Sequence, residues 1–176
     1  GLVVMDMDST LITIECIDEI ADMFDIKPQV AAITAAAMRG ELDFNESLTQ
    51  RVALLAGLDE AALERVYTER LQLMAGAEAM LKGFHDAGAK TLLISGGFTF
   101  FTEKLKAKLG LTRAIANVLE VENGKLTGRV IGDIVNAERK RTELIKMREE
   151  LGLRADQVVA MGDGANDLPM LHAAGF

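Results

Sequence analysis

Three short apolar runs stand far apart along this chain, and each ends in acid, serine or glycine: LVVMDMD at 2–8, TLLISGG at 91–97 and QVVAMGDG at 157–164. Runs of that length bounded by polar residues predict buried parallel strands. Between them the apolar positions recur at helical spacing, in GAEAMLKGFHDAG (76–88), FTEKLKAKLG (101–110) and RKRTELIKMREELG (139–152). Strands alternating with helices predict an α/β fold with a doubly wound, mostly parallel sheet. Ligands of such sheets sit outside the carboxyl ends of the strands, where all three polar endings fall.

Two segments break the alternation. From about Ile14 to Met74 the pattern is helical throughout: ECIDEIADMF, KPQVAAITAAAM, NESLTQRVALLAG and DEAALERVYTERL are separated by Pro28, Gly40 and Gly57. This predicts an inserted cap of four helices, with Pro28 in a first turn and Asp59 as an N-cap. The second is NVLEVENGKLTGRVIG (117–132), whose Asn123-Gly124 between alternating segments predicts a β-hairpin insertion. The expected organisation is a discontinuous core of residues 1–14 and 75–176 with a helical cap over 15–74. Both ends are expected to be cropped, since Gly1 stands almost inside the first strand and Phe176 follows an Ala-Ala-Gly that reads as a helix end.

Composition narrows the function classes. With 49% hydrophobic residues the chain can bury a core, and a net charge of -8 argues against a partner held through a nucleic-acid backbone. Cys16 is the only cysteine, so no intrachain disulfide can form and a cytoplasmic protein is the expectation. No stretch approaches the ~20 apolar residues that span a bilayer, so no membrane partner is expected.

Chemistry concentrates at the strand ends. Asp6 and Asp8, two apart, would point to one face of a strand and repel unless a cation or a shared proton relieved them. Ser95 can donate to an anion that Gly96 and Gly97, lacking side chains, let the backbone approach. Lys140 adds a positive charge, and GDGAND brings Asp163, Asn166 and Asp167. Alone, each has an ordinary reading: solvated strand-end acids, a Gly-Gly turn, a basic helix face in Arg139-Lys140-Arg141. Together they suit phosphoryl transfer, with a nucleophile, anion donors, a proton carrier and a cation to neutralise oxygens. Three hard oxygen donors favour Mg²⁺ over zinc. His85 and His172 stand singly on helical segments and receive no role.

DxDST after the first strand, SGG after a later one, a distant lysine and GDGxND resemble the haloacid dehalogenase superfamily, and within it the branch that hydrolyses phosphoserine. The resemblance runs through nearly the whole chain. It implies a Mg²⁺-dependent phosphatase in which Asp6 is the nucleophile that forms an aspartyl-phosphate and Asp8 the general acid and base. It also implies a cation held by Asp6, the Asp8 backbone carbonyl and Asp163, with Asp167 in support and Ser95, Gly96, Lys140 and Asn166 on the substrate. In the cap it implies that Glu15 meets an ammonium, Arg51 a carboxylate, and Met38 and Phe44 form an apolar lid. The product would be L-serine, the last step of serine biosynthesis.

Two alternatives stay open on the residues alone. One is a phosphatase or phosphotransferase of the same superfamily for another small phosphate ester, for instance with homoserine as acceptor. The other is a phospho-accepting receiver domain, against which the chain order argues. A receiver's accepting aspartate follows a middle strand, and a receiver lacks a helical insertion to exclude water.

Overall fold

All three apolar runs form parallel strands in the computed structural model, which describes residues 1–176. They are β1 (Leu2–Met5), β2 (Lys90–Phe98) and β5 (Val158–Met161). β1 lies between the other two, with Val4 opposite Leu92 and Ala160. The hairpin strands are β3 (Arg113–Glu122) and β4 (Lys125–Ile131), and the sheet order is β4-β3-β2-β1-β5. Eight helices follow the chain: α1 (Cys16–Met23), α2 (Lys27–Met38), α3 (Phe44–Ala53), α4 (Ala61–Glu69), α5 (Ala77–Asp86), α6 (Thr99–Leu109), α7 (Ala137–Glu150) and α8 (Leu168–Ala173).

The chain divides into two compact units. The first comprises Gly1–Thr13, Gln72–Ala116 and Val135–Phe176, the second Ile14–Leu71 and Asn117–Ile134. In the first, alternate residues of each strand face the same side. Leu2 and Val4, Leu92 and Ile94, and Val158 and Ala160 meet Leu144 and Met147 of α7 and Met170 of α8 in one apolar cluster. Each fully buried Leu or Ile there contributes roughly 1.5–3 kcal/mol. That burial fixes the heights of the strand ends, and so of the polar residues that follow them.

The second unit is built from the four expected helices and the hairpin. Pro28 stands in the first turn of α2 as predicted, where its missing N–H costs nothing. Asp59 is not the N-cap of α4. Glu60 takes that position without a side-chain bond, and Asp59 instead bridges Lys125 of β4. A cap absent from the prediction is Asp43, whose carboxylate accepts from the Glu46 N–H at 2.8 Å and starts α3. The hairpin turn is Asn123-Gly124, both at positive φ, with Glu122 opposite Lys125. Those two φ values are the signature of a type I′ turn.

The sequence boundaries placed this hairpin with the core, but its backbone ties it to the helices. Gly57 N–H donates to Leu126 O and Leu126 N–H to Leu58 O, both at 2.8 Å, and Glu60 N–H donates to Gly124 O at 2.9 Å. Gly128 completes the contact. A Cβ there would lie 2.9 Å from that of Ala56, so only glycine lets β4 come so close.

Candidate active site

β1 ends at Met5, and the two leading aspartates leave it in different ways. The Asp6 N–H still donates to Met161 O at 3.0 Å, which extends the β1–β5 pairing by one step and fixes Asp6 beside the end of β5. The chain then turns. Met7 O accepts from the N–H groups of Thr10, Leu11 and Ile12, at 3.2, 2.9 and 3.1 Å, with Ser9 at φ 57°. Asp8 therefore sits on a turn. The expectation that both acids share one strand face fails because the strand stops before either of them.

Asp6 is buried, and its Oδ1 accepts from Met7 N–H at 2.8 Å. Lys140 Nζ lies 3.1 Å from the same oxygen and donates to Asp167 Oδ1 at 2.6 Å. Lys140 and Asp167 are both wholly buried. Asn136 caps α7 by accepting from Arg139 N–H at 3.0 Å, which starts the helix one turn before the lysine. Of the basic run, Arg139 faces Glu143 at 3.7 Å and Arg141 faces Glu138 at 3.9 Å, while Lys140 alone points inward. Burial pushes the Asp6 carboxyl up to about 7, with Lys140 pulling it back and Asp167 adding to the rise.

Asp167 is held at both oxygens, by Lys140 and by the Gly164 N–H at 3.1 Å. Gly162 makes that approach available. A Cβ there would fall 2.4 Å from Asp167 Cγ, well inside van der Waals contact. Asp163 is exposed and accepts from the Thr10 hydroxyl at 3.2 Å. Carboxylate oxygens of Asp6, Asp163 and Asp167 lie within 4.8 Å of one another. Three hard oxygen donors converging on one point, one of them exposed, fit an oxygen-loving divalent cation that retains water. Asp167 accepts at both oxygens, whereas the bonds to Asp6 and to Asp163 fall on Oδ1, so the latter two each keep an oxygen for a cation.

Ser95 is buried near the end of β2, and its hydroxyl accepts from Gly97 N–H at 2.8 Å. That bond leaves the hydroxyl hydrogen to donate elsewhere. No turn separates Ser95 from α6, because β2 runs on through Gly96 and Gly97 to Phe98 and the helix begins at Thr99. At Gly97 a Cβ would stand 2.9 Å from Met7 Cε and 3.0 Å from Ser95 Oγ, so the missing side chain leaves room for the Ser95 hydroxyl. Gly96 and Asn166 are half-buried.

The first unit thus brings together Asp6, Asp8, Ser95, Gly96, Lys140, Asp163, Asn166 and Asp167 from the ends of three strands and from α7, the helix that precedes β5. The remaining predicted residues belong to the second unit. Glu15 is exposed at the N-cap of α1, and Met38 ends α2 with 84% of its surface exposed. Phe44 opens α3 half-buried, and Arg51 of the same helix donates to Ser47 O at 3.3 Å. Sequence reasoning missed Thr10, whose partner lies 153 positions away, and Gly162, whose importance depends on a side chain five residues on. Cys16 is buried at the start of α1, as a small apolar residue would be. No helix is long and apolar enough to cross a membrane.

The model of the haloacid dehalogenase-like hydrolases matches residues 3–172. A phosphoserine phosphatase from Polaromonas sp. (strain JS666) is 53% identical over 99% of this chain and 76% of its own length. Among solved structures, a phospho-aspartyl intermediate analogue of a phosphoserine phosphatase superposes with a TM-score of 0.92 at 40% identity, covering 99% of this chain and 83% of the other. A HAD family hydrolase from Salmonella enterica serovar Typhi gives 0.95 at 41% identity over 99% of this chain, which spans 60% of that one.

Proposed function

Because the chain belongs to the phosphoserine phosphatase family of haloacid dehalogenase-like hydrolases, we propose that it hydrolyses L-phosphoserine to L-serine and inorganic phosphate. The observation that carries this reading is the buried lysine shared by Asp6 and Asp167 at the mouth of the sheet. A nucleophilic carboxylate must be held still, ionised and beside a charge that tolerates an incoming phosphoryl group. Lys140 provides that charge, and Asp167 keeps the lysine in place.

In the proposed reaction Asp6 attacks phosphorus to form an aspartyl-phosphate, and the serine oxygen departs as it takes a proton from the Asp8 carboxyl. Asp8, now ionised, removes a proton from water as that water attacks the same phosphorus. The bond to Asp6 then breaks, releasing phosphate and restoring both carboxyls. Ser95 donates to a phosphoryl oxygen while Gly97 N–H holds its hydroxyl. The Gly96 backbone and Lys140 receive the other oxygens, and Asn166 supports the substrate. Magnesium, held by Asp6, Asp163 and the Asp8 backbone carbonyl, would neutralise charge on those oxygens when bound.

The helical segment over 15–74 is proposed as the cap that selects the substrate. There Glu15 recognises the ammonium and Arg51 the carboxylate of phosphoserine, with Met38 and Phe44 as its apolar lid. A cytoplasmic setting fits one free, buried cysteine and a small polar substrate. The test is phosphate release across a panel of small phosphate esters with Mg²⁺. The expected result is a preference for L-phosphoserine over esters lacking either its amine or its carboxylate, and equal rates across the panel would remove the assigned substrate.

A further inference from the structure

We infer that Thr10 is the positioning residue for Asp163, setting how well the site holds its cation; this rests on the proposed Mg²⁺ reading. Lys140 reaches two of the three clustered carboxylates, Asp6 and Asp167, and both of those are buried. Asp163 is the exposed member, and its side chain is oriented by the Thr10 hydroxyl, 3.2 Å from Oδ1. An exposed carboxylate without such a bond samples several rotamers, and each is lost when a cation fixes one of them.

Thr10 is itself held firmly. Its N–H donates to Met7 O. The two residues after it, Leu11 and Ile12, are 1% and 0% exposed. The backbone is pinned on both sides of the next turn, with Met74 N–H donating to Leu11 O at 2.8 Å and Thr13 N–H to Gln72 O at 2.9 Å. Ser9 at φ 57° is what swings the chain back far enough for Thr10 to face the end of β5. A hydroxyl on a braced turn is thereby presented to the exposed carboxylate of the cluster. Partners that orient ligands in this way typically change metal affinity by about 10- to 100-fold when removed.

The test measures Mn²⁺ affinity by electron paramagnetic resonance, with Mn²⁺ as a paramagnetic stand-in for Mg²⁺, in the wild type and in Thr10→Val, Thr10→Ala and Thr10→Ser. Valine keeps the shape and removes the hydroxyl. Alanine removes it without crowding, so a misfolded Thr10→Val leaves the test standing. Serine retains it. The expected result is affinity weakened about tenfold or more in Thr10→Val and Thr10→Ala and near wild type in Thr10→Ser, with unchanged metal-free melting temperatures. Wild-type affinity in the two variants lacking the hydroxyl overturns the role of Thr10 while leaving the cation site intact. A wild-type protein that binds no Mn²⁺ overturns the cation reading itself.

Discussion

Lys140 holds its ammonium 3.1 Å from the Asp6 carboxylate, and its side chain has no exposed surface. The pair is one arm of a triad, because the same ammonium donates to Asp167 at 2.6 Å. A cation buried between two acids is costly to desolvate and costlier still to remove, since removal strands two carboxylates away from water.

Lys140→Met should therefore destabilise the fold by about 3–5 kcal/mol near pH 8. Loss should be smaller near pH 5, where Asp6, its carboxyl raised by burial, holds a proton. Urea unfolding at the two pH values measures both, and turnover should fall below detection at either.

Asp6 supplies a pH signature of its own. Its carboxyl is raised from an ordinary 3.8 to about 7 by burial, so the metal-free fold retains the Asp6 proton where the unfolded chain has lost it. That contribution to stability is complete below the unfolded value and is lost as pH rises through the folded one. A cation favours the ionised form. Binding Mg²⁺ should thus release a proton at pH 6 and almost none at pH 9, as read by calorimetry in buffers of different ionisation enthalpy.

Two glycines make a paired test of packing. Gly162→Ala places a Cβ 2.4 Å from Asp167 Cγ, which should cost about 1–3 kcal/mol and release Lys140 from its anchor. Gly83, exposed inside α5, has nothing within 4 Å of a built Cβ. Gly83→Ala should raise stability by roughly 0.5–1 kcal/mol with activity unchanged. Thermal unfolding and kcat on both variants decide the matter.

Arg51→Ala should raise KM for phosphoserine far more than for a phosphate ester without a carboxylate, because the guanidinium is assigned to that group alone. Equal changes on both substrates would take Arg51 out of recognition.

Much of this architecture is legible in the sequence because it is local. The three apolar runs are strands since each is long enough to be buried and too short for a helix. Asn123-Gly124 makes its hairpin since both residues tolerate positive φ. Lys140 emerges from a basic run because its position on α7 faces the core while its neighbours face glutamates. The illegible parts are long-range. Nothing near Leu126 says that its backbone will pair with Gly57 and Leu58, so the hairpin's attachment to the helical unit is invisible to periodicity. Asp59 has the chemistry of a cap but lies one residue early, drawn to β4. The pairing of Thr10 with Asp163 exists only once β1 and β5 lie side by side.

The central claim is that Asp6 carries the phosphoryl group. Rapid acid quench of the Mg²⁺-loaded protein during turnover of L-phosphoserine, followed by peptide mass spectrometry, tests it most directly, with Asp6→Asn as the control. Phosphate is expected on the peptide containing Asp6 in the wild type, with neither label nor turnover in Asp6→Asn, whose fold should persist because so little volume changes. Near-normal hydrolysis by Asp6→Asn, or label confined to another residue, would contradict it.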